Sequence, residues 1–251
     1  MGIIVAVAGH KGGDGKTTTA FNLAHTLADE GDDVLALDDD PQGNLTFAFL
    51  GTRELPTANI KDIYESKPVT PYVINKNLHF IGADKSLAGI QEKDFEVIFN
   101  LADGLKKLKK NYDYIIIDCL PSFGRLQTAC LLAADYVLVP FAPDPFCAQG
   151  LADFFVSFEK IKHPRWNPNL KMLGILRNNV PSNKTNLSEE IIADIKELYG
   201  EWLFESFINT SVIAKESPAL QQSVIQYQQN HKLAKQYKQL AKEFRKRMEK
   251  C

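Results

Sequence analysis

The chain is predicted to fold as an α/β domain, a mostly parallel twisted sheet covered by helices on both faces. Three observations carry this. Short, wholly apolar runs recur along the chain: IIVAVA (3–8), DVLALD (33–38), YIIID (114–118), YVLVP (136–140) and KMLGIL (171–176). Runs of this kind suit strands buried on both faces, not strands with one wet face. Helical segments separate them, and strand–helix–strand repetition implies a parallel sheet with covered faces. Finally, 251 residues at 45% apolar composition suffice for one sizeable core.

Taken in order, IIVAVA is the first strand, and residues 17–30 form a helix that buries Phe21, Leu23, Ala24, Leu27 and Ala28. DVLALD is the second strand. From about 43 to 92 the pattern weakens to short helical pieces, a turn at Gly51-Thr52 and the strand LHFIGA (78–83). A helix over about 94–109 presents Phe95, Ile98, Leu101, Leu105 and Leu108 on one face. Three further core strands follow, and a helix over about 230–249 ends the chain. HPRWNP (163–168) is a proline-bounded loop too short to link domains, so residues 1–251 read as one domain.

Charge is balanced overall, 29 basic against 31 acidic residues, which gives no global nucleic-acid signal. The balance is uneven, however. From residue 231 onward Lys232, Lys235, Lys238, Lys242, Arg245, Lys246, Arg247 and Lys250 face only Glu243 and Glu249. The four cysteines, Cys119, Cys130, Cys147 and Cys251, show no C-x-x-C spacing and no grouping with histidine. That argues against zinc or a disulfide framework and for a reducing, cytoplasmic compartment. The first apolar run is too short for a signal sequence or a membrane span.

GHKGGDGKTTT (9–19) lies between the first strand and the first helix, where a phosphate-binding loop must sit. Gly12, Gly13 and Gly15 allow the backbone to turn its amides inward, and the helix N-terminus adds partial positive charge. In such a loop Lys16 would reach the β- and γ-phosphates and the Thr17 hydroxyl would ligate Mg²⁺, with Thr18 next in the helix. A cation there needs carboxylates at the ends of neighbouring strands. Asp38-Asp39-Asp40 ends the second strand and Asp118 ends YIIID. Three adjacent acids repel one another unless a cation is present.

With KGGDGKTTT, DDDPQGNLT and YDYIIIDCLPS in chain order, the sequence resembles the ParA/MinD family of deviant Walker A ATPases, P-loop NTPases of the SIMIBI type. Their K-G-G-x-x-K-[ST] loop does not require the glycine that His10 replaces. The resemblance continues through ADYVLVPFAPDPFCAQGL (134–151) and INTSVIAKESPAL (208–220). DPQGN and the LAKEF-type terminal helix point to short ParA-type partition and positioning proteins, among which the carboxysome-positioning McdA branch is included.

The resemblance implies an ATP- and Mg²⁺-dependent switch that forms a sandwich homodimer, binds DNA without sequence preference and is released by partner-stimulated hydrolysis. The partner would be a ParB-like or McdB-like adaptor, the place the nucleoid, and unstimulated turnover slow. By the same resemblance Lys11 reaches the phosphates of the other subunit, Asp40 orients the attacking water, and Asp38 and Asp118 support Mg²⁺. Asn178 matches an adenine-reading position, though a turn asparagine is the plain alternative. Independently of the resemblance, a carboxylate beside a triphosphate is repelled unless it points outward, so Asp14 is expected at the dimer face, near Lys11 of either subunit.

On the terminal helix Leu233, Tyr237, Leu240, Phe244 and Met248 share one face, while Lys235, Lys238, Lys242 and Arg245 share the other. The basic face is the candidate DNA surface, with Lys215 as a further contact, because Asn209-Thr210 replaces the family's proline-arginine pair. A solvated lysine face is the plain alternative. A MinD-like membrane helix and a nitrogenase-iron-protein-like reductase are the rival functions. The first conflicts with an apolar stripe that resembles the part of ParA folds packed on the body, the second with the cysteine spacing.

Overall fold

A computed structural model describes residues 2–182 and 186–250; Cys251 and the side chain of Lys250 lie outside this set. The strands are β1 (Ile3–Val7), β2 (Val34–Asp39), β3 (Tyr72–Asn75), β4 (Leu78–Ile81), β5 (Tyr114–Cys119), β6 (Tyr136–Phe141), β7 (Lys171–Val180) and β8 (Leu203–Asn209). The helices are α1 (Lys16–Asp29), α2 (Asn44–Leu50), α3 (Ile60–Tyr64), α4 (Val97–Leu108), α5 (Arg125–Ala133), α6 (Cys147–Ile161), α7 (Asn186–Tyr199), α8 (Ile213–Glu216), α9 (Val224–Tyr227) and α10 (Lys232–Lys250).

The strands form one sheet in the order β3-β4-β2-β5-β1-β6-β7-β8. All pairs are parallel except the β3–β4 hairpin at one edge. The expected architecture is therefore present. Each central strand sends alternate side chains to opposite faces. One face packs Val5, Val7, Ala36 and Ile116 against α1, α2 and α10. The other packs Ile4, Ala6, Leu35 and Ile117 against α3 through α7. The neighbouring β2, β5 and β1 are in register at their C-terminal ends, with Asp38 opposite Asp118 and Asp118 opposite Val7. That register brings the carboxylates to the mouth of the loop after β1, the crevice where open α/β sheets bind ligands.

Some boundaries move. β7 runs to Val180, so Asn178 lies inside the strand and not after it. β3 and β8 do not show as apolar runs: both are edge strands, β3 buries no residue fully, and burial in β8 alternates over 204–208. Phe95 is not on the buried face of the helix expected at 94–109. It precedes α4, is 43% exposed, and meets Phe99 and Trp166 edge-on at the surface.

α10 packs as expected. Leu233, Tyr237, Leu240 and Phe244 are at most 1% exposed, and the Phe244 ring meets Tyr114 at 5.3 Å. Burying each such side chain contributes about 1.5–3 kcal/mol, which fixes the rotation of the helix and hence the face it shows to solvent.

Candidate phosphate-loop site and basic helix face

Gly15 is the pivot of the loop. It adopts φ +82 as the residue before α1, and a Cβ there would stand 1.8 Å from Asn178 Nδ2. Both facts demand glycine. Gly13 is also left-handed at φ +87, whereas Gly12 has no atom within 4 Å of a notional Cβ and no positive φ. The fold itself does not ask for glycine at 12. No side chain caps α1 and no acidic residue sits in its first turn. The amides of Lys16, Thr17 and Thr18 are thus left for an anion.

Lys16 is 6% exposed, and its ammonium donates to the Lys11 carbonyl at 2.6 Å. Burial pushes its pKa down, and Asp118, Asp14 and Asp40 pull it back. Behind the loop, Gln127 Nε2 donates to the carbonyls of Gly9 and Leu120, tying α5 to the start of the loop and the end of β5.

The acidic run divides by strand alternation. Asp38 is fully buried and accepts from the Thr46 amide and hydroxyl, both at 2.8 Å, and from the Asp40 amide at 3.1 Å. Burial pushes its pKa up to about 7, against these hydrogen bonds. Asp39 points to the other layer, where it accepts from Tyr64 Oη at 2.9 Å and Cys130 Sγ at 2.9 Å. Burial raises it well above the carboxylate range. The expectation of three acids around one cation is corrected: Asp39 belongs to a separate buried network. Asp40 is half-buried at the mouth and accepts from the Gln42 amide at 2.9 Å.

Asp118 fits a magnesium site. It is 1% exposed and both carboxylate oxygens lack a hydrogen bond of normal geometry, although the Thr17 hydroxyl favours its ionised form. Burial and the nearby Asp38 raise its pKa strongly. Two unpartnered buried oxygens facing a second carboxylate leave an electrostatic need that a divalent cation meets. Thr17, Asp38 and Asp118 are the residues that would hold it.

Lys11 behaves differently from Lys16. Its ammonium leaves the loop and pairs with Asp144 in the connection after β6, each side chain about a third exposed. The sequence had not singled out Asp144. Asp14 is not outward-facing as expected. It is 7% exposed, with the Ala142 amide 3.4 Å from Oδ1. The left-handed turn at Gly15 folds it back under the connection after β6. Burial raises its pKa, opposed by Lys11 and then Lys16. Asn178 donates to the Asp14 carbonyl at 2.7 Å and is 1% exposed, so here it braces the loop. Asn179, which the sequence also did not single out, donates to the Gly13 carbonyl at 3.1 Å. His10 packs between Phe123 and Phe154, at 5.7 and 5.6 Å between ring centroids.

On α10, Lys235, Lys238 and Lys242 are exposed, together with Lys232 and Lys246. Arg245 departs from the expected basic face. It turns to the body and binds Asp32 through Nε at 3.0 Å and Nη2 at 2.5 Å, and Glu30 through Nη1 at 2.5 Å. Its charge is neutralised in place, and Lys246 takes its position in the exposed stripe. Lys238 lies near Asp29, whose carboxyl burial raises and Lys238 lowers. Lys215 is exposed on α8.

A parallel sheet with a glycine loop between strand and helix, two lysines and a buried carboxylate pair defines a P-loop ATPase. Residues 2–172 match the family described as AAA domain. The chromosome partitioning protein ParA of Myxococcus xanthus is 31% identical over 254 residues, covering 98% of this chain and 89% of that protein. The sporulation initiation inhibitor protein Soj of Bacillus subtilis is 33% identical, covering 97% and 98%. Among solved structures, Cyanothece McdA superposes in its apo form with TM-score 0.87 at 24% identity, covering 99% of this chain and 100% of that one. An ATP complex of a McdA variant gives 0.82 at 25%, covering 99% and 95%. This chain belongs to the ParA/MinD family of partition and positioning ATPases. Among the described residues no helix is long and apolar enough to cross a membrane.

Proposed function

We propose that the chain is an ATP-driven switch that pairs with a second copy when ATP is bound, and that the pair binds DNA without sequence preference to position or segregate a cargo. The observation that carries this reading is the division between the two loop lysines. Lys16 is committed to its own loop, while the Lys11 ammonium stands at the surface against Asp144. An ammonium there can be handed to the phosphates of a second copy, so dimerisation depends on the triphosphate.

In this reading the loop amides and Lys16 bind the β- and γ-phosphates of ATP, and Asn178 braces the loop through the Asp14 carbonyl. Mg²⁺, when bound, supplies charge neutralisation at the phosphate oxygens. Asp118, Thr17 and Asp38 would hold it, and Thr46 fixes Asp38 through its amide and hydroxyl. Asp40, half-buried and restrained by the Gln42 amide, holds the attacking water. Two lysines converging on the triphosphate stabilise the charge that develops as the γ-phosphoryl leaves. An adaptor of ParB-like or McdB-like type would raise the rate.

The DNA surface is the stripe Lys235, Lys238, Lys242 and Lys246, with Lys215 as a further contact. Lysines three to four apart on an anchored helix present a row of ammonium groups to phosphates and no shape for reading bases. The test is co-sedimentation of the purified protein with random-sequence duplex DNA and, separately, with anionic liposomes. DNA retention with ATP and its loss with ADP are expected. Retention on liposomes alone would replace this reading with a membrane-bound regulator.

A further inference from the structure

Asn209 and Thr210 stand where the family resemblance leads one to expect proline and arginine, and they do work of their own here. Asn179, in a left-handed conformation at φ +50, donates from Nδ2 to the Gly13 carbonyl of the phosphate loop at 3.1 Å. The Asn179 carbonyl accepts from Thr210 Oγ1 at 2.8 Å. One residue on, the Val180 carbonyl accepts from the Thr210 amide at 2.9 Å and from Asn209 Nδ2 at 3.0 Å. Asn209 then pairs reciprocally with Gln236 of α10. Gln236 Nε2 donates to Asn209 Oδ1 at 2.8 Å, and the Asn209 amide donates to Gln236 Oε1 at 3.2 Å. Both side chains are nearly buried, 8% and 6% exposed.

The path is therefore continuous from a loop carbonyl to the basic helix, with a hydrogen bond or a covalent bond at each step. A second strut runs beside it, where Tyr237 Oη reaches the Thr18 carbonyl at 3.4 Å. The amide pair is costly to break. Its groups are buried, and a missing partner leaves a donor or acceptor unsatisfied. Rearranging the loop around a nucleotide must therefore carry Gln236 along or break the pair. Either outcome changes the first two turns of α10, which hold Lys235 and Lys238.

We propose that Asn179, Thr210, Asn209 and Gln236 are positioning residues that transmit the occupancy of the phosphate loop to α10. The lysine stripe is thereby presented according to nucleotide state within a single subunit. This rests on the reading of the loop as a nucleotide site and, for its purpose, on α10 as the DNA surface.

Amide hydrogen exchange on the full chain tests it, with and without ADP and magnesium; ADP fills the loop without the γ-phosphate on which pairing depends. In the wild-type chain ADP should slow exchange at least about threefold both in the loop and over residues 232–240. In Asn179→Gly, which suits the positive φ and removes the side-chain bond to the loop shared by every branch of the relay, and in Gln236→Leu, loop protection should persist while the change over 232–240 shrinks to what the Tyr237 strut carries. Asn179 is only half-buried, so that variant decides the matter if Gln236→Leu does not fold. An undiminished response of residues 232–240 in Asn179→Gly, or no response in the wild-type chain, would overturn the proposal. Coupled exchange in a protein that fails to retain DNA would sink the DNA reading and leave the relay standing.

Discussion

The phosphate loop and the basic face of α10 are built on opposite principles. At the phosphate-loop site Lys16, Asp14, Asp38 and Asp118 are buried, and both oxygens of Asp118 are unpartnered. On α10 the lysines are solvated, while the inward-turned Arg245 is held by Glu30 and Asp32. A buried unpartnered group stores a demand for a specific ligand. An exposed row of like charge stores only a field, strong at low salt and indifferent to sequence. The two halves of the proposed switch should accordingly fail in different ways when altered.

The largest effect belongs to Gly15→Ala. A Cβ 1.8 Å from Asn178 Nδ2 at a φ of +82 forces the loop or Asn178 to move, and nucleotide affinity should fall at least about 100-fold, by roughly 3 kcal/mol. Calorimetric titration with ADP and magnesium checks this, and near-normal affinity would mean that the loop is less tightly set than described. Next is the triple change of Lys238, Lys242 and Lys246 to glutamate. DNA retention should drop at least about tenfold, and the slope of log affinity against log salt should flatten by roughly 0.9 for each phosphate no longer neutralised. Nucleotide affinity should stay the same. Loss of both functions together would erase the separation between the two regions.

His25 gives a smaller, pH-dependent effect. It is 2% exposed, stacked on Phe49 at 5.2 Å, with no hydrogen bond to either ring nitrogen. Burial pushes its pKa down from 6.5 to about 4. The unfolded chain takes up a proton in that window and the folded chain does not. Stability therefore falls as pH drops from 6.5 toward 4, by up to about 3 kcal/mol. His25→Leu should flatten this part of the urea-denaturation profile; an unchanged profile would assign the acid sensitivity elsewhere. Smallest is Arg245→Ala, expected to cost about 1 kcal/mol of stability through its partners Glu30 and Asp32 and to leave DNA retention unaltered. A loss of DNA binding comparable to that of the lysine variant would restore Arg245 to the DNA-facing surface.

The same comparison explains what could be read in the sequence. The loop was legible because its chemistry is local: glycines, Lys16 and Thr17 are contiguous, and the strand–loop–helix context is visible from apolar runs. Central strands were legible for the same reason, and the edge strands were not, since β3 buries no residue fully and β8 only part of its length. Asn179 was not legible, because its partner Gly13 is 166 residues away in sequence. Arg245 was misplaced by one position on the helix. Rotation by about 100° per residue puts it beside Asp32, and only the docked helix reveals that. Asp14 and Asp39 were misread in opposite senses: Asp14, expected outward, is buried beside Lys11 and Lys16, while strand alternation sends Asp39, grouped with the cation site, to the other layer.

The central claim is that Lys11 makes pairing depend on ATP. Light scattering on the size-exclusion peak measures it directly. The wild-type chain should elute at the mass of one 28.1 kDa copy with ADP and of two copies with ATP and magnesium. Lys11→Ala should remain a single copy under both conditions while still binding ATP. A Lys11→Ala chain that pairs with ATP as the wild type does would contradict the account.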